Sequence, residues 1–206
     1  MRTAEKNRRI IIGVDEAGRG PLAGPVVSGA VIINEKIDGV KDSKSLSQKQ
    51  REALFDVIRE KSVAFGVGIA SSSEIDEINI LNAALLSMKR AIDALLRNLE
   101  NKGMQLQGKD ILVLVDGNRR IKGLKFQQET VVKGDSKVYE ISAASIIAKV
   151  VRDRMMCVFD KRYPQYNFCK HKGYPTKEHR ILIAKFGPCP LHRKSFRGVG
   201  EQTFGW

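Results

Sequence analysis

The chain has 206 residues, 42% of them hydrophobic, which is enough for one sizeable core and short for two full domains. Lysine and arginine number 36 against 23 acids, a net charge of +13, which suits a polyanionic partner or an anionic membrane surface. No stretch approaches the roughly 18 continuous apolar residues of a membrane span, and the run Ile10-Ile11-Ile12 is too short for a secretory signal, so a cytoplasmic location is expected.

Residues 10–14 read as a short buried strand, followed at once by Asp15 and Glu16. The link GRGPLAGP, with two prolines and three glycines, is a turn or a tight corner. Residues 26–33 and 63–70 read as the second and third strands, expected to be antiparallel neighbours. A helix begins near Ser47, where Ser47 and Gln50 fit a capping box ahead of Leu54, Val57 and Ile58. A long helix covers roughly 79–99, and 101–108 is a polar connection. The fourth strand is 111–115, closed by Asp116-Gly117, and 130–132 adds a short fifth. Helices follow over about 142–161 and 177–186, the last capped by Thr176 and ended by Gly187-Pro188. Strands, helices, a later strand and more helices make an α/β sandwich with a mixed sheet.

Cys157, Cys169 and Cys189 are an odd count without tight spacing, which predicts free thiols in a reducing compartment. His171, His179 and His192 are too scattered in sequence for a zinc motif.

The acids carry the chemistry. IIIGVD (10–15) and ILVLVD (111–116) are two hydrophobic strands that end in aspartate. Acids attached to buried strands are costly unless compensated, and oxygen ligands suit magnesium or manganese. The alternative is that these acids only mark strand ends, where turn chemistry favours aspartate. Asp135 in KGDSK and Asp153 in VRDR are further candidates, and periodicity does not choose between them. GxSxG is absent, as are the Walker and dinucleotide-binding spacings. Arg19 lies between two glycines just after the acids. Lys41, Ser43 and Lys44 precede a helix start, a placement suited to phosphate. Lys172 and Tyr174 in HKGYPT offer charge and a ring to stack, although Tyr174 is equally suited to the core.

The stretches GVDEAGRGPLAGPV, DSKSLS, EIDEINILNA, VDGN, VVKGDSKVYEISAASIIAKVVRDRMM, YPQYNF and HKGYPT, in that order, resemble type 2 ribonuclease H, the bacterial ribonuclease HII family, from about residue 10 to 196. The resemblance implies a ribonuclease H-like α/β fold: a mixed five-stranded sheet flanked by helices, with a helical C-terminal extension. It implies one catalytic domain over 1–206, of which about 160–206 is the extension and tail. It implies four catalytic and metal-binding acids, Asp15, Glu16, Asp116 and Asp135, and so prefers Asp135 to Asp153. Gly18, Arg19 and Gly20 would read the ribonucleotide at the cut, and Tyr174 would stack on the neighbouring sugar. The implied reaction is hydrolysis with two ions, Mn2+ or Mg2+, leaving 5′-phosphate and 3′-hydroxyl ends. Its substrates are RNA–DNA hybrid duplexes and single ribonucleotides embedded in DNA, cut on the 5′ side.

A nuclease or recombinase of the same general fold would share the strand-end acids but would not need the GRG and HKGYPT elements. A non-enzymatic basic binding protein would bind without turnover. The tail RGVGEQTFGW carries Gln202, Phe204 and Trp206. It suits docking onto a sliding clamp, but the preferred reading folds Phe204 and Trp206 onto the enzyme's own surface. The chain is expected to act as a monomer.

Overall fold

In a computed structural model of the chain, which describes residues 9–104 and 111–199, the two aspartate-ending strands are neighbours. β1 (Ile10–Ala17) and β4 (Ile111–Asp116) pair in parallel, in register from Ile10↔Ile111 to Val14↔Val115. The next position on each strand is an aspartate. Side chains alternate across a strand. Ile12, Val14, Val113 and Val115 enter one core layer, while Leu112 and Leu114 pack with Ile141 on the other face. Asp15 and Asp116 follow that second set, side by side just past the last β1–β4 pair, Val14↔Val115.

The sheet order is β3-β2-β1-β4-β5, with β2 at Val26–Ile32, β3 at Ala64–Ala70 and β5 at Gln127–Val131. The first three strands are antiparallel neighbours as expected, and β1, β4 and β5 run parallel. β5 begins three residues before the expected 130–132 and ends one earlier. It is an edge strand with no buried residue, so it lacks the alternating apolar signal that marks a half-buried strand.

Helix α1 (Gln48–Lys61) starts at the expected capping box, with Ser47 accepting from the Gln50 N–H and Gln50 returning the bond. Helix α2 (Ser72–Asn101) starts seven residues before the expected 79. A second capping box, Ser71 with Glu74, opens a first segment, and Asn79 then interrupts the helix at φ 66°. The Asn79 side chain accepts from the N–H groups of Leu81 and Asn82 and so caps the second segment. Helix α3 (Tyr139–Arg162) crosses the opposite face with α1. Helices α4 (Phe168–His171) and α5 (Lys177–Phe186) form the C-terminal extension around Tyr166 and Phe168. Among the described residues, no helix is long and apolar enough to cross a membrane. Residues 105–108 of the expected polar connection, and Gln202, Phe204 and Trp206 of the tail, lie outside the described residues.

Cysteine pairing differs from expectation. Cys157 and Cys169 form a disulfide, and only Cys189 is a free, buried thiol. The two partners are 12 residues apart in sequence. The turn between α3 and α4 brings them together, a contact that spacing alone does not reveal.

Helix α2 lies so close to β3 that glycine is needed at the contact. A Cβ on Gly68 would sit 2.0 Å from the Ser87 carbonyl oxygen and 2.4 Å from the Ala91 nitrogen, both backbone atoms. Gly68→Ala must therefore push α2 away from the sheet, at a cost of roughly 3 kcal/mol. Thermal unfolding should shift down by about 10 °C, and an unchanged melting temperature would contradict this packing.

Candidate active site

Asp15, Glu16 and Asp116 each offer a carboxylate oxygen, and these atoms lie within 4.8 Å of one another. The strand register explains two of them. The third follows because β1 continues beside β2, with Glu16 opposite Ser28, after its pairing with β4 has ended. Asp15 is 4% exposed and accepts the Glu16 backbone N–H at 2.7 Å. Asp116 Oδ1 accepts the Gly134 N–H at 2.6 Å. Burial, with the charges of Glu16 and Asp116, holds the Asp15 carboxyl well above the usual carboxylate range. Burial also pushes Glu16 up to about 7, opposed by the Arg19 guanidinium at 3.4 Å and reinforced by Asp116. Three crowded carboxylates repel one another. All their donors are oxygens, so the cluster fits a divalent cation.

This crowding predicts how the metal-free protein responds to pH. Glu16 has a folded pKa of about 7 against 4.5 unfolded, so the folded state binds the extra proton. The associated stability is complete below about pH 4.5 and is lost as pH rises through about 7. In chelator-treated protein, Glu16→Gln should melt on the order of 5 °C higher than wild type at pH 8. The gain should vanish near pH 4.5. A gain that grows towards low pH would contradict the assignment.

The cavity around these acids, about 240 Å³, is lined by Gly18, Arg19, Gly20, Ser43, Lys44, Ser145, Lys149 and Tyr174. Asp135 is 5% exposed and lies outside the trio of acids. Its Oδ2 accepts from Lys44 Nζ at 2.6 Å, so it stands behind a lysine that itself lines the cavity. That bond raises the Lys44 pKa above its ordinary value. Asp153 is an ion-pair residue, bound to Lys149 Nζ at 2.7 Å. Ser43 and Ser145 share a 2.6 Å hydrogen bond that ties the 43–45 turn to α3.

Two expected substrate contacts stand apart. Lys41 is exposed and does not line the cavity. Lys172 donates to the Cys169 carbonyl at 2.6 Å, beside the disulfide, and so serves α4. Conversely, Ser145 and Lys149 line the cavity without having been singled out. Their signal is polar residues one turn apart on an otherwise apolar helix face.

Tyr174 is 40% exposed and turned into the cavity, not the core. Its backbone is held by a chain of buried histidines. The Cys189 N–H donates to His192 Nδ1, which leaves His192 Nε2 to donate to His179 Nε2 at 3.1 Å. His179 Nδ1 then donates to the Tyr174 carbonyl at 2.9 Å. Both rings are neutral in this arrangement, and burial keeps each pKa down at about 4. The histidines scattered in sequence thus gather in space, but every ring nitrogen is occupied by a hydrogen bond.

Comparison with known proteins places this arrangement. The family model for ribonuclease HII matches residues 12–199. The chain is 48% identical to a ribonuclease HII from Syntrophotalea carbinolica over 203 residues, covering 98% of this chain and 91% of the relative. It superposes on the crystal structure of ribonuclease H2 from Pyrococcus horikoshii OT3 with a TM-score of 0.69 and 30% identity, covering 93% and 95% of the two chains. It also superposes on ribonuclease HII from Archaeoglobus fulgidus, solved in complex with PCNA, with a TM-score of 0.66 and 24% identity over 91% and 95%. With a matching family model over nearly its whole length and close relatives on both counts, the chain belongs to the ribonuclease HII family.

Proposed function

We propose that this chain is an endonuclease that hydrolyses the RNA strand of RNA–DNA hybrids and cuts 5′ of single ribonucleotides embedded in duplex DNA. The observation that carries the reading is the acid trio beside the glycine-flanked Arg19 and the cavity-facing Tyr174. Asp15, Glu16 and Asp116 would hold divalent ions, with Asp135 as the fourth acid behind Lys44. Two ions, Mn2+ or Mg2+, would activate water and stabilise the departing 3′ oxygen. The chain's own groups do the rest. Lys44 and Lys149 place positive charge on the cavity wall, suited to the phosphate backbone. Gly18, Arg19 and Gly20 face the ribose, and Tyr174 packs on the neighbouring sugar.

The chain works as one catalytic domain, with 160–206 as its extension and tail, and in the cytoplasm where such substrates arise. A sliding clamp is a candidate partner, prompted by the Archaeoglobus fulgidus ribonuclease HII solved in complex with PCNA.

The test compares three duplexes of matched sequence: a continuous hybrid, DNA with one ribonucleotide, and all-DNA. Cleavage of the first two only, dependent on added divalent ion and leaving 5′-phosphate and 3′-hydroxyl ends, is the expected result. Binding without turnover in manganese would overturn the reading. With +13 net charge, hybrid affinity should fall steeply with salt.

A further inference from the structure

Two arginines, Arg152 on α3 and Arg193 after α5, have no surface exposure. Neither is in an ion pair among the described residues. Burying unpaired guanidinium groups is expensive, and here they spend their donors on backbone carbonyls. Arg193 donates from Nη2 to Gly18 at 2.6 Å, from Nη1 to Arg19 at 3.0 Å and from Nε to Gly24 at 2.9 Å. Arg152 donates from Nε to Pro25, from Nη2 to Ala23 and from Nη1 to Lys172, all at 3.0–3.1 Å. The pair therefore holds five carbonyls of segment 18–25 and one of the loop that carries Tyr174.

These bonds fix the opposite side of the segment. In a trans peptide the C=O and the following N–H point in opposite directions, and the described chain has no cis peptide. With the carbonyls of Gly18 and Arg19 turned inward to Arg193, the N–H groups of Arg19 and Gly20 must turn outward, where both residues line the cavity. Neither N–H has a hydrogen-bond partner among the described residues. Gly18 sits at φ 102°, and a Cβ there would fall 2.1 Å from Arg152 Nε, so glycine lets the segment close onto the clamp.

We infer that Arg193 is a positioning residue for ribonucleotide selection, acting with Arg152 to hold the Arg19 and Gly20 N–H groups outward as paired donors to a ribose 2′-hydroxyl. The 2′-hydroxyl can accept such bonds, and a deoxyribose offers no acceptor at that place. Arg193 never touches substrate. Lysine in its place keeps the charge but loses the planar three-way fork, so the two peptide planes are freed to rotate. This inference rests on the proposed ribonuclease reading, and the controls separate the two.

The experiment measures dissociation constants, in calcium to hold back turnover, for duplex DNA with and without one ribonucleotide. Wild-type cleavage of the hybrid in manganese is checked first, and its failure sinks the ribonuclease reading itself. Given that activity, Arg193→Lys should reduce the preference for the ribonucleotide duplex at least tenfold while affinity for all-DNA duplex stays within about twofold. A folded Arg193→Lys protein that keeps the preference, or loses affinity for both duplexes equally, overturns the inference. Gly20→Pro decides the matter if Arg193→Lys does not fold, because it deletes one of the two N–H groups with Arg193 intact. Gly20 has no left-handed φ, and a Cβ there meets nothing nearer than Tyr174 Cε1 at 4.0 Å. Loss of preference in Gly20→Pro supports the inference, and retained preference overturns it.

Discussion

Asp116→Asn should give a folded protein whose turnover of a continuous hybrid falls at least about a thousandfold. The fold should survive because, among the described residues, the one hydrogen bond of the Asp116 side chain is accepted from the Gly134 N–H at 2.6 Å, and an asparagine oxygen accepts it equally well. The charge is a different matter. Asp116 is one of three carboxylates within 4.8 Å, and removing one anionic ligand weakens a divalent site and misplaces what it holds. Asp15→Asn and Glu16→Gln should act alike, and each removes a like charge, so melting temperatures of the metal-free variants should match or exceed wild type. Asp135→Asn should also remove most activity, again through the charge: its amide oxygen can still accept from Lys44, but the anion that pairs with the Lys44 ammonium at 2.6 Å is gone. The measurement is kcat at saturating manganese and again at saturating magnesium, alongside a melting curve. Near-normal turnover of Asp116→Asn in either metal would remove the trio from the mechanism.

The parts of this site that sequence made legible are those written in local pattern. IIIGVD and ILVLVD announce buried strands with acids at their ends, and the sheet pairs them in the register that their likeness suggests. The capping box at Ser47 is local too and stands where expected. The one at Ser71 is equally local but lay hidden behind Asn79, whose side chain starts a second helical segment inside α2. β5 was misplaced because an edge strand with both faces largely wet carries little periodicity. What sequence could not show are contacts made only by the closed fold. The Cys157–Cys169 bond depends on the turn between α3 and α4. The ammonium of Lys172 sits in a basic motif yet turns to the Cys169 carbonyl. Arg152 stands next to Asp153 in VRDR, yet it is fully buried, with its guanidinium on three carbonyls. Arginine is a surface residue by composition, and only the fold reveals a buried one.

Tyr174→Ala should separate the two substrates more sharply than any other single change in the cavity wall. The ring is 40% exposed, so its removal leaves no core cavity and stability should hardly change. The backbone beneath it is held independently, by the His179 bond to its carbonyl and by its N–H bond to the His171 carbonyl, so alanine keeps the loop in place. What is lost is a flat apolar surface. Lys149 Nζ and the Arg152 guanidinium carbon lie 5.8 and 5.9 Å from the ring centroid and help keep it upright. A deoxyribose packs flat on such a ring, whereas a 2′-hydroxyl at that place crowds it. A single embedded ribonucleotide is followed by deoxyribose and gains this contact in full. A continuous hybrid places ribose there and gains less. Aromatic stacking in nucleic-acid grooves is worth about 1–3 kcal/mol, so kcat/KM on the single-ribonucleotide duplex should drop roughly 10- to 100-fold. The drop on the continuous hybrid should be several times smaller. Tyr174→Phe should restore both, because among the described residues the hydroxyl has no hydrogen-bond partner and the ring carries the contact. Equal fractional losses on the two substrates would refute the sugar-stacking role and leave Tyr174 as a wall of the cavity.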